Sequence, residues 1–231
     1  MIRFDLLSAV PDLLHSPLNH SIIKIAREKG YAHTEVHNLR DYSADKHKKV
    51  DDYPFGGGAG MVLTPQPVFD CHDALAAQHR YDEVIFMTPD APVFTQADAN
   101  RLSLKSNIMI LCGHYKGVDQ RIRDEIITAE YSIGDYVLSG GELPALVVVD
   151  AVVRLIPGVI GDAESALSDS FMDDLLDAPQ YTRPAEFRGL EVPEVLRSGD
   201  HKKIREWRKR LSEEKTKSIR PDLYDIYLNN Q

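Results

Sequence analysis

Apolar and polar positions along residues 1–156 follow two alternating periods. Ile2–Val10, Glu83–Met87 and Asn107–Cys112 are short apolar runs and predict strands; Ala32–Leu39 alternates at period two and predicts another. Between them, Leu18–Glu28, Pro67–His79, Thr95–Lys105 and Gln120–Ala129 carry helical spacing. Pro67 suits a first helical turn and Thr95 suits an N-cap. Tyr136–Leu138 reads as a brief strand, and Pro144–Ile156 as a strongly apolar helix stopped by Pro157 and Gly158. Tyr42–Asp52 is a polar loop, and Phe55–Met61 holds four glycines.

This alternation predicts an α/β fold: a mostly parallel sheet with helices on both faces. Ligands of such sheets bind beyond the carboxyl ends of the strands. Pro89, Gly113 and Ser139–Gly141 each follow a predicted strand, which puts three turns on one rim. From Gly158 to Asp174 the pattern weakens into a glycine-, serine- and acid-rich stretch. The expected organisation is a first domain over 1–160, a flexible linker over 161–173 and a small helical domain over 174–231. Pro193–Arg197 and His201–Lys217 are its predicted helices, with Ile204, Trp207 and Leu211 on one face of the longer one.

Composition narrows the class. The chain has 231 residues, enough for one sizeable core and a small second one. It is 43% apolar and 27% charged, an ordinary globular balance. No apolar run reaches the roughly 18 residues of a membrane helix. The start, with Arg3 and Asp5, reads as a first strand and not as a signal peptide. Cys71 and Cys112 sit among apolar neighbours and read as buried free thiols in a reducing cytoplasm, with a disulfide or redox role as the alternative. A net charge of −9 argues weakly against nucleic acid as a ligand. Yet Arg197–Arg220 holds ten Lys and Arg against four Asp and Glu. That segment could hold a polyanion, or be a solvated helix surface.

Several segments could carry chemistry. The amides of Phe55–Met61 could cradle an anion, or the run could be a plain surface loop. It is neither a Walker loop nor a dinucleotide fingerprint. In Leu111–Arg123, Tyr115 could stack on a planar ligand and Asp119 could cap a helix; a simple turn also fits. Tyr131–Pro144 offers apolar walls with a few fixed polar groups, as a small-molecule pocket requires, or a strand and tight turn leading into a helix. It holds no basic cluster, which favours a ligand with a neutral or cationic tail over a pyrophosphate. Arg154 could be a cation completing a helix C-terminus or serve a site. Asp169 lies where a mobile loop could close on a substrate and accept a proton, or where a carboxylate caps a turn. No HExxH, CxxC or GxSxG pattern appears.

Taken together, the segments resemble the bacterial tRNA (guanine-37-N1)-methyltransferase family of knotted, SPOUT-type methyltransferases, over essentially the whole chain. The resemblance rests on NLRDY at Asn38–Tyr42, DDYPFGGGAGM at Asp51–Met61, LCGHYKGVDQR at Leu111–Arg121 and SIGDYVLSGGELPA at Ser132–Ala145. It continues through RLIPGV at Arg154–Val159, DSF at Asp169–Phe171, PQYTRP at Pro179–Pro184, VPEVLRSGDH at Val192–His201 and RPDL at Arg220–Leu223. It implies methyl transfer from S-adenosyl-L-methionine to N1 of guanine 37 in tRNA, beside the anticodon. It also implies a deep trefoil knot at the C-terminal end of the first domain, an obligate homodimer with both subunits lining each site, a magnesium ion, and a cytoplasmic enzyme without membrane attachment. The small helical domain becomes the tRNA-binding one. The implied cofactor residues are Pro89, Gly113 and Tyr115, then Ile133, Gly134, Asp135, Tyr136, Val137 and Leu138, and finally Gly140, Gly141 and Pro144. Asp169 is the implied base and Arg154 the implied cation beside guanine O6. Lys202, Lys203, Arg205, Arg208, Lys209 and Arg210 become candidate phosphate contacts.

Two departures stand out. Lys116 replaces a glutamate usual in the family, reversing a charge on the substrate side of the pocket, and could instead meet RNA phosphate. Ala91 replaces a usual glycine, and its methyl group would crowd the cofactor loop if the backbone needed positive φ. Two other readings follow: a related knotted methyltransferase acting elsewhere on RNA, or a non-catalytic RNA-binding module.

Overall fold

The structure, a computed structural model, describes residues 1–160, 170–171 and 174–230. The chain divides into two compact units, Met1–Gly161 and Asp162–Gln231. In the first, β1 (Ile2–Ser8), β2 (Ala32–Asn38), β5 (Glu83–Met87), β6 (Asn107–Cys112) and β7 (Ala129–Tyr131) form a parallel sheet in the order β2-β1-β6-β5-β7. A short antiparallel pair, β3 (Asp51–Asp52) and β4 (Val62–Leu63), lies outside it.

Successive strand residues face opposite sides, so the sheet carries two cores. Phe4, Leu6, Ile85, Met87, Ile108 and Ile110 pack with α1 (Asp12–Leu18), α2 (Ser21–Glu28), α4 (Gln96–Ser103) and α6 (Glu142–Val153). Leu7, Val84, Phe86, Met109 and Leu111 pack with α3 (Pro65–Ala76) and α5 (Gln120–Glu125). Val148, Val149, Val152 and Val153 of α6 are fully buried. Each such side chain contributes about 1.5–3 kcal/mol relative to exposure. Both cysteines are free and buried.

The predicted strands β1, β2, β5 and β6 form close to where the pattern puts them, and Thr95 caps α4 in a reciprocal capping box with Asp98. Tyr136–Leu138 is not a strand; Val137 is 82% exposed. The strand is Ala129–Tyr131 instead, because Met87 of β5 offers its edge to Tyr131. Helix α5 therefore stops at Glu125, and the Thr128 N–H donates to the Val84 carbonyl at 2.8 Å. Of the expected helix Leu18–Glu28, Ser21–Glu28 forms as α2; α1, which the pattern did not predict, ends at Leu18, and Asn19 and the extended His20 separate the two. Pro17 lies within α1 near its end, where the missing N–H removes one intrahelical bond. Helix α6 begins at Glu142, which places Pro144 in its first turn.

In the second unit, a hairpin of β8 (Glu186–Phe187) and β9 (Leu190–Glu191) precedes α7 (Glu194–Arg197), α8 (His201–Ile219) and α9 (Pro221–Asn229). The Asp200 carboxylate accepts the Lys202 and Lys203 N–H groups at 3.1 Å and starts α8. Ile204, Trp207 and Leu211 are half-buried on that helix, as their spacing predicts. Helix α9 was not expected from the pattern; Pro221 occupies its first turn.

One charge is fully buried in the sheet. Asp5 of β1 accepts from Arg3 Nε at 2.6 Å and Arg3 Nη2 at 2.8 Å, and from the Tyr81 hydroxyl at 2.7 Å; His37 Nε2 lies 2.7 Å from its Oδ1. Burial alone pushes such a carboxyl up, but the bonds from His37, Arg3 and Tyr81 outweigh it and hold Asp5 at about 2. A depressed folded pKa stabilises the fold above the ordinary carboxylate range, and that contribution is lost as pH falls toward 2. Urea unfolding between pH 5 and pH 2 is therefore expected to show wild-type stability falling by about 2 kcal/mol more than that of Asp5→Asn. Equal slopes in the two proteins would refute this.

Candidate cofactor cleft and active site

Three turns leave the carboxyl edge of the sheet side by side, because Met87 pairs with Cys112 on one flank and Tyr131 on the other. The first follows β5 at Thr88–Asp90, the second follows β6 at Gly113–Val118, and the third runs from Ser132 to Gly141. Main-chain bonds join them. The Gly141 N–H donates to the Gly113 carbonyl at 2.6 Å, His114 bridges to Gly140, and the Ser132 N–H donates to the Pro92 carbonyl at 2.9 Å. Between them lies a cleft of about 560 Å³, within the ordinary range for cofactor sites. Every residue assigned to the cofactor pocket lines this cleft except Asp135, whose side chain is on the exposed surface.

Two glycines are required by close approach. A Cβ on Gly141 would sit 2.7 Å from the Gly113 nitrogen and 2.9 Å from Cys112 Cα. A Cβ on Gly113 would sit 2.7 Å from the Phe86 ring. Tyr115 is left-handed at φ 63°, a conformation that is costly for a bulky side chain and found where a site constrains the backbone.

Arg123 of α5 also lines the cleft, and sequence reasoning missed it. Its guanidinium donates to both Glu130 oxygens at 2.7 and 2.6 Å and to Asp90 at 2.9 Å, and lies 5.6 Å from the Phe86 ring centroid. This fork fixes the Pro89–Asp90 turn. Hydrogen bonds from Thr88 and Arg123 hold the Asp90 carboxyl below its usual value. No local motif marks Arg123, since Asp90 is 33 residues away and Glu130, 7 residues away, lies beyond the end of α5 on β7.

The two departures now have positions. The Lys116 N–H donates to the Met61 carbonyl at 3.0 Å, and its aliphatic stem covers Gly60, within 2.9 Å of where a Cβ would stand. The lysine thus ties the cleft to the glycine-rich run. Ala91 is not left-handed, so the condition for its methyl group to crowd the loop is not met.

Of the implied catalytic pair, Arg154 alone falls within the described residues. Arg154 is the half-buried C-cap of α6 and does not line the cleft. Asp169 lies outside the described residues. Among those residues, one group has metal-ligand spacing: Asp5, Glu35 and His37. It does not fit magnesium, because Arg3, Tyr81 and His37 already occupy both Asp5 oxygens.

In the second unit, Lys202, Lys203, Arg205, Arg208, Lys209 and Arg210 are all exposed on α8. Several face acids on the same helix, as in Arg210–Glu214 at 2.9 Å, while Arg205 and Arg208 form no ion pair among the described residues. Arg208 joins Arg183, Arg197 and Tyr181 along a groove of about 650 Å³. No helix in either unit is long and apolar enough to cross a membrane, among the described residues.

The contact between Gly113 and Gly141 can be tested directly. Gly141→Ala is expected to lower stability by about 1–3 kcal/mol, the usual cost of overpacking. Because the clash is with backbone, the cleft should lose ligand affinity as well. Unchanged denaturant midpoints would show that the loops separate freely.

The model of the family described as tRNA (Guanine-1)-methyltransferase TrmD matches residues 2–226. A tRNA (guanine-N(1)-)-methyltransferase of Chlorobaculum tepidum is 58% identical over 222 residues, 96% of each chain. Proteins of the same name from Flavobacterium psychrophilum and Bacteroides fragilis are 58% and 56% identical over 224 residues, covering 97% of this chain and 100% of theirs. With the match spanning both compact units, the chain belongs to the tRNA (Guanine-1)-methyltransferase TrmD family.

Proposed function

We propose that this protein transfers the methyl group of S-adenosyl-L-methionine to N1 of guanine 37 in tRNA. The observation that carries the reading is the cleft in which three turns distant in sequence converge, with a Gly113–Gly141 contact that leaves bare backbone on its wall. Such a cradle fits the donor: apolar side chains such as Ile133 and Leu138 pack an adenine, while free backbone groups read its edge. Bound S-adenosyl-L-methionine supplies a methyl group activated by its sulfonium. The protein aligns that group with the base. Asp169 accepts the N1 proton as the new N–C bond forms and the C–S bond breaks. Arg154 stabilises the negative charge that grows on O6.

The convergent loops are read as the knot of the family, a rare exception to ordinary chain topology. Exposed Val137, Leu143 and Val147 support a second copy covering this face, as in a homodimer. The tRNA lies along the basic face of α8 and the Arg183–Arg197–Arg208 groove of the second unit; a tRNA substrate fits a cytoplasmic place of action. A required magnesium ion would draw its ligands from donor, substrate or water, and none of the steps above is assigned to it.

The central test uses tRNA transcripts with guanine or adenine at position 37. Wild-type protein is expected to methylate only the former, at N1, and Asp169→Ala to lose at least about a hundredfold in rate, the usual lower range for a general base. Product at another nucleotide would replace the substrate assignment, and unchanged turnover in the folded variant would remove Asp169 from its role. For docking, Arg205→Ala combined with Arg208→Ala should weaken tRNA binding and reduce the salt slope by about one per lost contact. An unchanged slope would move the RNA off this helix.

A further inference from the structure

A second buried acid lies beneath the cleft and takes no part in the chemistry above. Glu142, the first residue of α6, is 1% exposed. The Ser8 hydroxyl, at the carboxyl end of β1, donates to its Oε1 at 2.6 Å, and the Val10 N–H in turn donates to Ser8 Oγ at 2.8 Å. Its Oε2 faces His114 Nε2 at 3.5 Å. Both of those atoms are buried, and neither has another hydrogen-bond partner among the described residues. Leaving two buried polar atoms unsatisfied is costly, so each is the other's natural partner.

The pair lies directly under the cofactor loop. A Cβ on Gly140 would stand 2.6 Å from His114 Nε2 and would also strike Glu142 Oε2. His114 pairs with Gly140 across the two loops, and the next residues, Gly113 and Gly141, make the 2.6 Å main-chain bond. Any displacement of the imidazole therefore displaces the wall of the cleft.

We propose that Ser8, Glu142 and His114 form a positioning relay for the methyl-donor loops. The carboxyl group accepts the His114 Nε2–H, fixes the imidazole tautomer, and so sets the separation of the Gly113–Tyr115 and Gly140–Gly141 segments. The bond closes fully when the cleft is filled, as site hydrogen bonds often do. Glu142 and Ser8 touch neither donor nor substrate and act through His114. A plain alternative is that Glu142 only places an acid at the N-terminus of α6.

The inference rests on reading the cleft as the donor site, and the experiment separates the two. Nitrogen-15 imidazole spectra of the full-length protein at neutral pH, with His114 assigned by its loss in His114→Gln, should show Nε2 protonated. In Glu142→Gln the amide oxygen keeps the Ser8 bond and the NH₂ turns toward His114. The imidazole must then accept through Nε2 and carry its proton on Nδ1. S-adenosylhomocysteine, the demethylated product, should bind this variant roughly tenfold more weakly by calorimetry, the loss expected of one buried hydrogen bond. The KM for the donor should rise accordingly, with kcat at saturating donor retained. Ser8→Ala, which leaves the Glu142–His114 contact in place, should move affinity in the same direction by less.

A helix-end role alone would lower the melting temperature of Glu142→Gln without altering the His114 spectrum or affinity, and that result overturns the relay. An unprotonated Nε2 in the wild type overturns it as well. If the wild type binds no S-adenosylhomocysteine while the tautomer changes as expected, the donor-site reading fails and the Glu142–His114 bond stands.

Discussion

The cleft depends on one close passage of main chain over main chain. Gly141 comes so near to Cys112 and Gly113 that no side chain can stand between them. That approach closes the Gly141–Gly113 hydrogen bond and brings the end of β6 to the start of α6. The two segments are more than twenty residues apart, and the sheet does the work of bringing them together. Parallel pairing of β5 with β6 and β7 aligns the strand ends, and the apolar face of α6 then seals against Ile108 and Ile110. Without glycine at the crossing, core packing and cleft geometry would conflict.

Two acids are buried in the first unit, and the fold satisfies them differently. Asp5 sits on the α3 and α5 side of the sheet, with donors on both oxygens from β1, β2 and the approach to β5. Its network is complete and makes no demand on the cleft. Glu142 sits on the other side, with one oxygen bonded to Ser8 and the other turned to His114. A complete buried network rigidifies, whereas a buried oxygen without a short hydrogen bond is costly to leave unpaired and draws its neighbour toward it. The difference explains why the first acid belongs to stability and the second to the loops.

Charge is partitioned between the units. The chain is acidic overall, yet α8 and the groove beside it gather exposed arginines and lysines. A polyanion responds to the local surface within about a Debye length, roughly 8 Å in physiological salt. A net charge of −9 is therefore no obstacle to RNA on one basic face.

Much of this was legible in the sequence. Hydrophobic period located β1, β2, β5 and β6 because those strands are apolar or alternate regularly, and Thr95 and Asp119 were readable as caps because capping is local chemistry. The glycines of the third turn and the residues around them were legible as candidate walls through motif and composition, and they line the cleft. Tyr136–Leu138 was misread as a strand because three apolar residues fit either a strand or a wall, and only the free edge of β5 decides which segment pairs. Arg123, Glu142 and His114 carried no signal as a set, since an arginine fork and a buried carboxyl group are defined by partners up to 134 residues away. The sequence by itself determined the elements, the turns and the family resemblance, because these depend on neighbours along the chain. Tertiary structure alone decided which turns share a cleft and which acids are buried, because both follow from contacts made only after the sheet has assembled.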